Sequence, residues 1–153
     1  MPTVEVVDET SRFPHVDALS QVITDLMVAE GLADNEITIV LLDDAAMAAL
    51  NERDRGVEGP TDVLSYPTNE PTDVGFPPVS HLGDVLISLD TAARQAEAVA
   101  HPLALEVATL AAHGLTHLRG HDHQEPTDWA PFDALQARAR ALMNAALHAE
   151  ASG

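Results

Sequence analysis

Apolar positions recur along the chain with two periods, and they alternate. Thr3 to Val7 reads as a first strand. Val16, Leu19, Val22, Ile23, Leu26 and Met27 then fall at helical spacing, and Gly31 suits a stop. Glu36 to Leu42 is rich in β-branched residues and predicts a second strand. Asp43 or Asp44 can cap a helix running to about Arg53, with Ala46, Met47 and Leu50 inward. Asp62 to Tyr66 predicts a short third strand, and His81 to Leu89, with Val85-Leu86-Ile87, a fourth. Asp90 or Thr91 then caps a helix over Ala92 to Ala100. Pro102 suits the first turn of the next helix. Leu103, Leu105, Val107, Leu110, Leu115 and Leu118 make that helix apolar on most sides, so it belongs at the centre of the molecule. A last amphipathic helix uses Phe132, Leu135, Ala139, Leu142, Met143 and Ala146. The long irregular piece, Pro67 to Ser80, carries four prolines, and a loop of that length is usually functional or mobile.

The pattern describes a single domain over residues 1–153, with about four strands and about five helices. A chain of this size can bury a sufficient core without a metal or a disulfide. There is no Cys, which removes disulfides, thiolate metal sites and thiol nucleophiles; any metal must be held by His, Asp or Glu. The net charge is −18, from 7 basic and 25 acidic residues, and every basic residue is Arg. Such a balance argues against a surface that coats nucleic acid, although it leaves room for a small positive pocket. Met1 to Thr10 lacks the basic start and apolar core of a signal peptide, and Pro102 to Ala112, interrupted by Glu106, is too short to span a bilayer. A cytoplasmic protein without membrane contact is the expectation.

The chemistry gathers in one segment. Four of the eight His lie between His113 and His123, where a random spread would put fewer than one. His113 and His117 are one helical turn apart on one face and can share an ion. Gly120 follows where the helix must break, and only Gly reverses direction there without steric cost. His123 can then swing back as a third ligand. Three imidazoles with a fourth position open is the layout of a catalytic zinc site, one ion per chain. His121 falls off this pattern and can face solvent or support a ligand from outside, and Asp122 can orient a ligand by accepting its ring N–H, although an acidic residue on a solvated turn is the commoner case.

The spacing of the three His and the Gly matches the metallopeptidase pattern H-E-x-x-H-x-x-G-x-x-H. Gly114 stands where that pattern has Glu, so the usual general base of a zinc peptidase or amidase is missing.

The segment His113-Gly114-Leu115-Thr116-His117-Leu118-Arg119-Gly120-His121-Asp122-His123 resembles the signature of the YbeY family of bacterial endoribonucleases, also called the rRNA maturation factor family. Asn51-Glu52-Arg53-Asp54-Arg55-Gly56 with Pro60-Thr61-Asp62-Val63-Leu64-Ser65-Tyr66-Pro67 is similar to a second block of that family. Leu82-Gly83-Asp84-Val85-Leu86-Ile87-Ser88 is similar to a third. Tyr66 stands for the usual Phe, and His121 for the commoner Tyr. The resemblance covers nearly the whole chain. It implies a zincin-like α+β fold and a zinc-dependent, single-strand-specific endoribonuclease. It further implies a role in rRNA maturation (16S rRNA processing) and ribosome quality control. It carries His113, His117 and His123 over as zinc ligands and Arg55 as the basic residue required for activity.

RNA cleavage builds negative charge at phosphorus. Zinc polarises a phosphoryl oxygen, and an Arg fork can take the remaining charge. Arg53, Arg55 and Arg119 lie in the motif blocks, and Thr61 and Ser65 offer hydroxyls to a substrate backbone. A zinc-bound hydroxide or the RNA 2′-hydroxyl could be the nucleophile. The expected partners are single-stranded RNA, notably rRNA, and the small ribosomal subunit or a basic ribosomal protein meeting the acidic surface. Two other readings remain: a zinc peptidase or amidase, and a non-catalytic ribosome-assembly factor in which zinc only holds a helix end.

Overall fold

A computed structural model describes residues 1–68, 80–121 and 126–152, with side chains left out at 126, 127, 151 and 152. Most of the irregular Pro67–Ser80 piece, together with Asp122 and His123, therefore lies outside the described residues. The order is β1 (Thr3–Asp8), α1 (Val16–Ala29), β2 (Glu36–Leu42), α2 (Asp44–Arg55), β3 (Val63–Pro67), β4 (His81–Ser88), α3 (Leu89–Ala98), α4 (Leu103–Leu118), a 3-10 turn at Pro126–Trp129 and α5 (Ala130–Ser152). The strands form one mixed sheet in the order β1-β2-β4-β3. β1, β2 and β4 run parallel, and β3 pairs antiparallel with β4 at the edge. Pro67 is accommodated because an edge strand need not donate every N–H. The architecture is α+β, as the family resemblance implies.

Side chains alternate across a strand, and the two faces of this sheet bury different partners. Ile37, Ile39, Leu41, Val85 and Ile87 face α1, α4 and α5 in the main core. Val40, Leu42, Leu64, Tyr66 and Leu86 face the other way, against Met47 and Leu50 of α2. α4 is central as its all-round apolarity requires, packing on β3, β4, α1, α3 and α5.

Side-chain caps start two of the helices. Asp43 accepts a hydrogen bond from the Ala46 N–H at 2.8 Å and starts α2, and Gly56, with φ 67°, ends it. One cap differs from the expectation. Ser88, not Asp90 or Thr91, caps α3, accepting from the Thr91 N–H at 3.3 Å. β4 thus passes straight into α3, and Ser88 also donates to Asp44 at 2.6 Å. Asp44 further accepts from Thr91 at 2.7 Å and Arg94 at 2.8 Å. Partial burial would raise the Asp44 pKa, but the bonds from Arg94, Ser88 and Thr91 outweigh it and hold it down at about 2. Among the described residues no single helix is long and apolar enough to cross a membrane.

Candidate metal centre

From Ala111 to Leu118 every residue is buried except His113 and His117, which are half-buried. The pair therefore marks the one strip of this stretch of α4 that reaches solvent. The two Nε2 atoms lie 3.2 Å apart, with ring centroids at 4.8 Å. Two nitrogens each ~2.0–2.1 Å from a tetrahedral zinc would be about 3.3 Å apart, so the spacing of the pair matches that of two ligands of one ion. The Nδ1 of His117 lies 3.1 Å from the backbone carbonyl of His121. An N–H donated there places the ring proton on Nδ1 and the lone pair on Nε2, the usual way a ligating imidazole is oriented. That bond exists because α4 stops at Leu118 and Gly120, with φ 93°, turns the chain back. Among the described residues no group of three His, Asp or Glu forms a metal site; His123, the third expected ligand, is outside them.

Gly114 decides how close α4 comes to the sheet. A Cβ placed there would meet Val85 Cγ1 at 2.5 Å and Ser65 Oγ at 3.2 Å. Ser65 and Val85 are register partners on β3 and β4. The helix thus presses a bare backbone onto the sheet next to His113, and any side chain at this position is excluded. The missing metallopeptidase Glu has a packing cause.

Aromatic walls complete the surroundings. The buried Phe132 ring lies 4.8 Å from both imidazoles, and Trp129, 40% exposed, lies 6.2 Å from His113. The Gln136 side-chain amide is 2.9 Å from Nδ1 of His113. Sequence pattern alone does not single out Trp129 or Gln136, and it gives Phe132 a place in the core only. The signal for Gln136 was present: it lies four residues after Phe132, a polar intrusion on the inward stripe of α5.

The other expected residues are placed as follows. Ser65 faces α4 beside Gly114. Thr61 Oγ1 sits 3.4 Å from the Asp62 carboxylate. Asp62 itself caps the β3 edge, accepting from the Val63 N–H at 2.8 Å and from Gln95 at 3.2 Å. Arg53 is engaged by the Asp54 carboxylate at 2.7 and 2.9 Å, and Arg119 by Glu30 at 2.8 Å. Tyr66 also donates to Asp54 at 2.7 Å. The hydrogen bonds from Arg53 and then Tyr66 hold Asp54 down at about 2. Arg55, the last residue of α2, has no carboxylate ion pair among the described residues. The apolar side of α2 packs on the sheet face opposite α4, and no described contact joins the Arg55 guanidinium to the His pair. The connection between the two runs through edge strand β3, where Tyr66 touches Asp54 and Ser65 touches Gly114.

Residues 5–144 match the family model described as Endoribonuclease YbeY. An Endoribonuclease YbeY of Thermus thermophilus is 48% identical over 141 residues, which cover 91% of this chain and 99% of that one. One from Deinococcus radiodurans is 56% identical over 93 residues, covering 61% and 59% of the two chains. The solution structure of a Thermotoga maritima protein superposes with a TM-score of 0.70 at 20% identity, over 97% of this chain and 93% of that one, and so shares the fold. The chain belongs to the YbeY endoribonuclease family.

Proposed function

We propose that this protein is a zinc-dependent endoribonuclease that cleaves single-stranded RNA in the cytoplasm, during maturation of 16S rRNA and in ribosome quality control, with the small ribosomal subunit or a basic ribosomal protein as its partner. The observation that carries the reading is the His pair: two Nε2 atoms 3.2 Å apart on the exposed strip of an otherwise buried helix, in a chain of this family. His113 and His117, with His123, would hold the ion, and the fold is read as zincin-like on that account. Zinc bound there would supply Lewis acidity toward a phosphoryl oxygen.

The chain's own residues do the rest. The His121 carbonyl orients His117, and Phe132 excludes water from one side of both rings. Trp129, 40% exposed, places an indole beside His113, where an unpaired base could stack, a contact worth ~1–3 kcal/mol per base. Arg55, with no carboxylate to answer among the described residues, is the cation assigned to the phosphate. Arg53 and Arg119 have carboxylate partners and would have to exchange them for phosphate.

The peptidase reading lacks support, because Gly114 leaves no room for a general-base carboxylate. Turnover of single-stranded RNA and of peptides by one zinc-loaded sample, with and without chelator, tests the proposal. Chelator-sensitive cleavage of RNA alone is expected. Peptide turnover would replace this reading with a hydrolase of another substrate. Absence of both, with zinc bound, would leave a structural metal and an assembly factor.

A further inference from the structure

Gln136 reaches the His pair from a different helix. It is half-buried on α5, and its amide nitrogen is 2.9 Å from Nδ1 of His113, the ring nitrogen turned away from His117. The contacts form one chain: Gln136 amide, His113 Nδ1; His113 Nε2, His117 Nε2 at 3.2 Å; His117 Nδ1, His121 carbonyl at 3.1 Å. With the amide nitrogen toward the ring, every donor points the same way. Gln136 donates to His113, His113 donates to His117, and His117 donates to the carbonyl. In that order His113 keeps its proton on Nε2, where a ligand needs a lone pair.

A glutamine amide carries a donor and an acceptor of nearly the same shape, and a half-turn about its last bond exchanges them. After the half-turn the amide oxygen faces Nδ1. The His113 proton then belongs on Nδ1, donated to Gln136, and both Nε2 lone pairs face each other across the space for one cation. No backbone needs to move.

We propose that Gln136 is the positioning residue for His113: its side-chain oxygen accepts the Nδ1 proton and so selects the tautomer in which His113 binds metal. The proposal rests on the zinc reading above. Gln136 does for His113 what the His121 carbonyl does for His117, but with a group that can turn, which ties metal loading to a side chain of α5. Such outer partners are worth about 10–100-fold in metal affinity.

The experiment is zinc affinity of the full chain by competition with a chromophoric chelator, for wild type, Gln136→Met and Gln136→Glu. Met keeps the length and offers no acceptor at Nδ1, whereas Glu offers only acceptors. Gln136→Met is expected to bind zinc about 10–100-fold more weakly, and Gln136→Glu at least as tightly as wild type. Equal affinity in all three overturns the role of Gln136, and so does an equal loss in both variants, which would mean packing alone. Should Gln136→Met fail to fold, ring 15N shifts of wild type freed of zinc decide. His113 already protonated on Nδ1 before the metal is added supports the proposal, and a proton on Nε2 overturns it. A wild-type chain that binds no zinc overturns the metal reading first, and this proposal with it.

Discussion

Gly114 of α4 lies so close to Val85 of β4 that a Cβ on it would come within 2.5 Å of the valine's Cγ1. The approach is what seats the His-bearing helix on the sheet. Replacing Gly by Ala in a helix normally gains about 1 kcal/mol. Here the added methyl meets two β-strands, and overpacking costs ~1–3 kcal/mol or more. Gly114→Ala is therefore expected to lower the denaturation midpoint despite its better helix propensity. A variant more stable than wild type would show that the helix can retreat from the sheet freely.

A second prediction concerns acid. Asp44 joins the starts of α2 and α3 through Ser88, Thr91 and Arg94, and its pKa is held at about 2 against an ordinary 3.8. A depressed folded-state pKa means stability that is present above 3.8 and lost as pH falls toward about 2. The difference in unfolding free energy between wild type and Asp44→Asn should be ~1–2 kcal/mol at pH 6 and vanish at the acid end of that window. Urea titrations across the range measure it. A difference that does not change with pH would assign the cost to packing instead.

Much of this was legible in the sequence. The β2 boundaries, the Asp43 cap and the Gly31 and Gly120 breaks follow from local propensity and side-chain geometry, which a single chain segment carries. The Ser88 cap did not, because Ser88 ends a strand by pattern; its second role depends on Asp44, 44 residues away. The His pair is legible through its spacing, whereas Gln136 shows only as a polar residue on the inward stripe of α5, and nothing in α5 alone says which helix that stripe will meet. Gly114 was read as a missing Glu; that it is a contact with Val85 requires the register of β3 and β4.

Arg55 gives the third prediction. Arg55→Ala should keep fold and zinc but lose RNA cleavage by ~10²-fold in kcat, the scale of removing one preorganised charge donor. Arg55→Lys should recover only part, because a point charge does not reproduce the planar fork. Wild-type rates in both variants would remove Arg55 from the site.

The charge distribution gives the fourth. Among the described residues four of the seven Arg are in ion pairs, with Asp90, Asp54, Asp44 and Glu30, which leaves few cations for phosphates on a body at −18. Binding of the isolated protein to single-stranded RNA should be weak, with a footprint of a few nucleotides and a shallow salt dependence. Affinity measured across a salt titration checks this. A log–log slope of roughly −5 or steeper would reveal an extended phosphate-binding face.

The most direct measurement is metal content of the purified chain and its His variants. Wild type should hold one equivalent of zinc. His113→Ala, His117→Ala and His123→Ala should each lose occupancy, while His121→Ala should keep it, because His117 is oriented by the His121 backbone carbonyl and not by its ring. A wild-type chain without zinc, or four variants that all retain a full equivalent, would contradict the account.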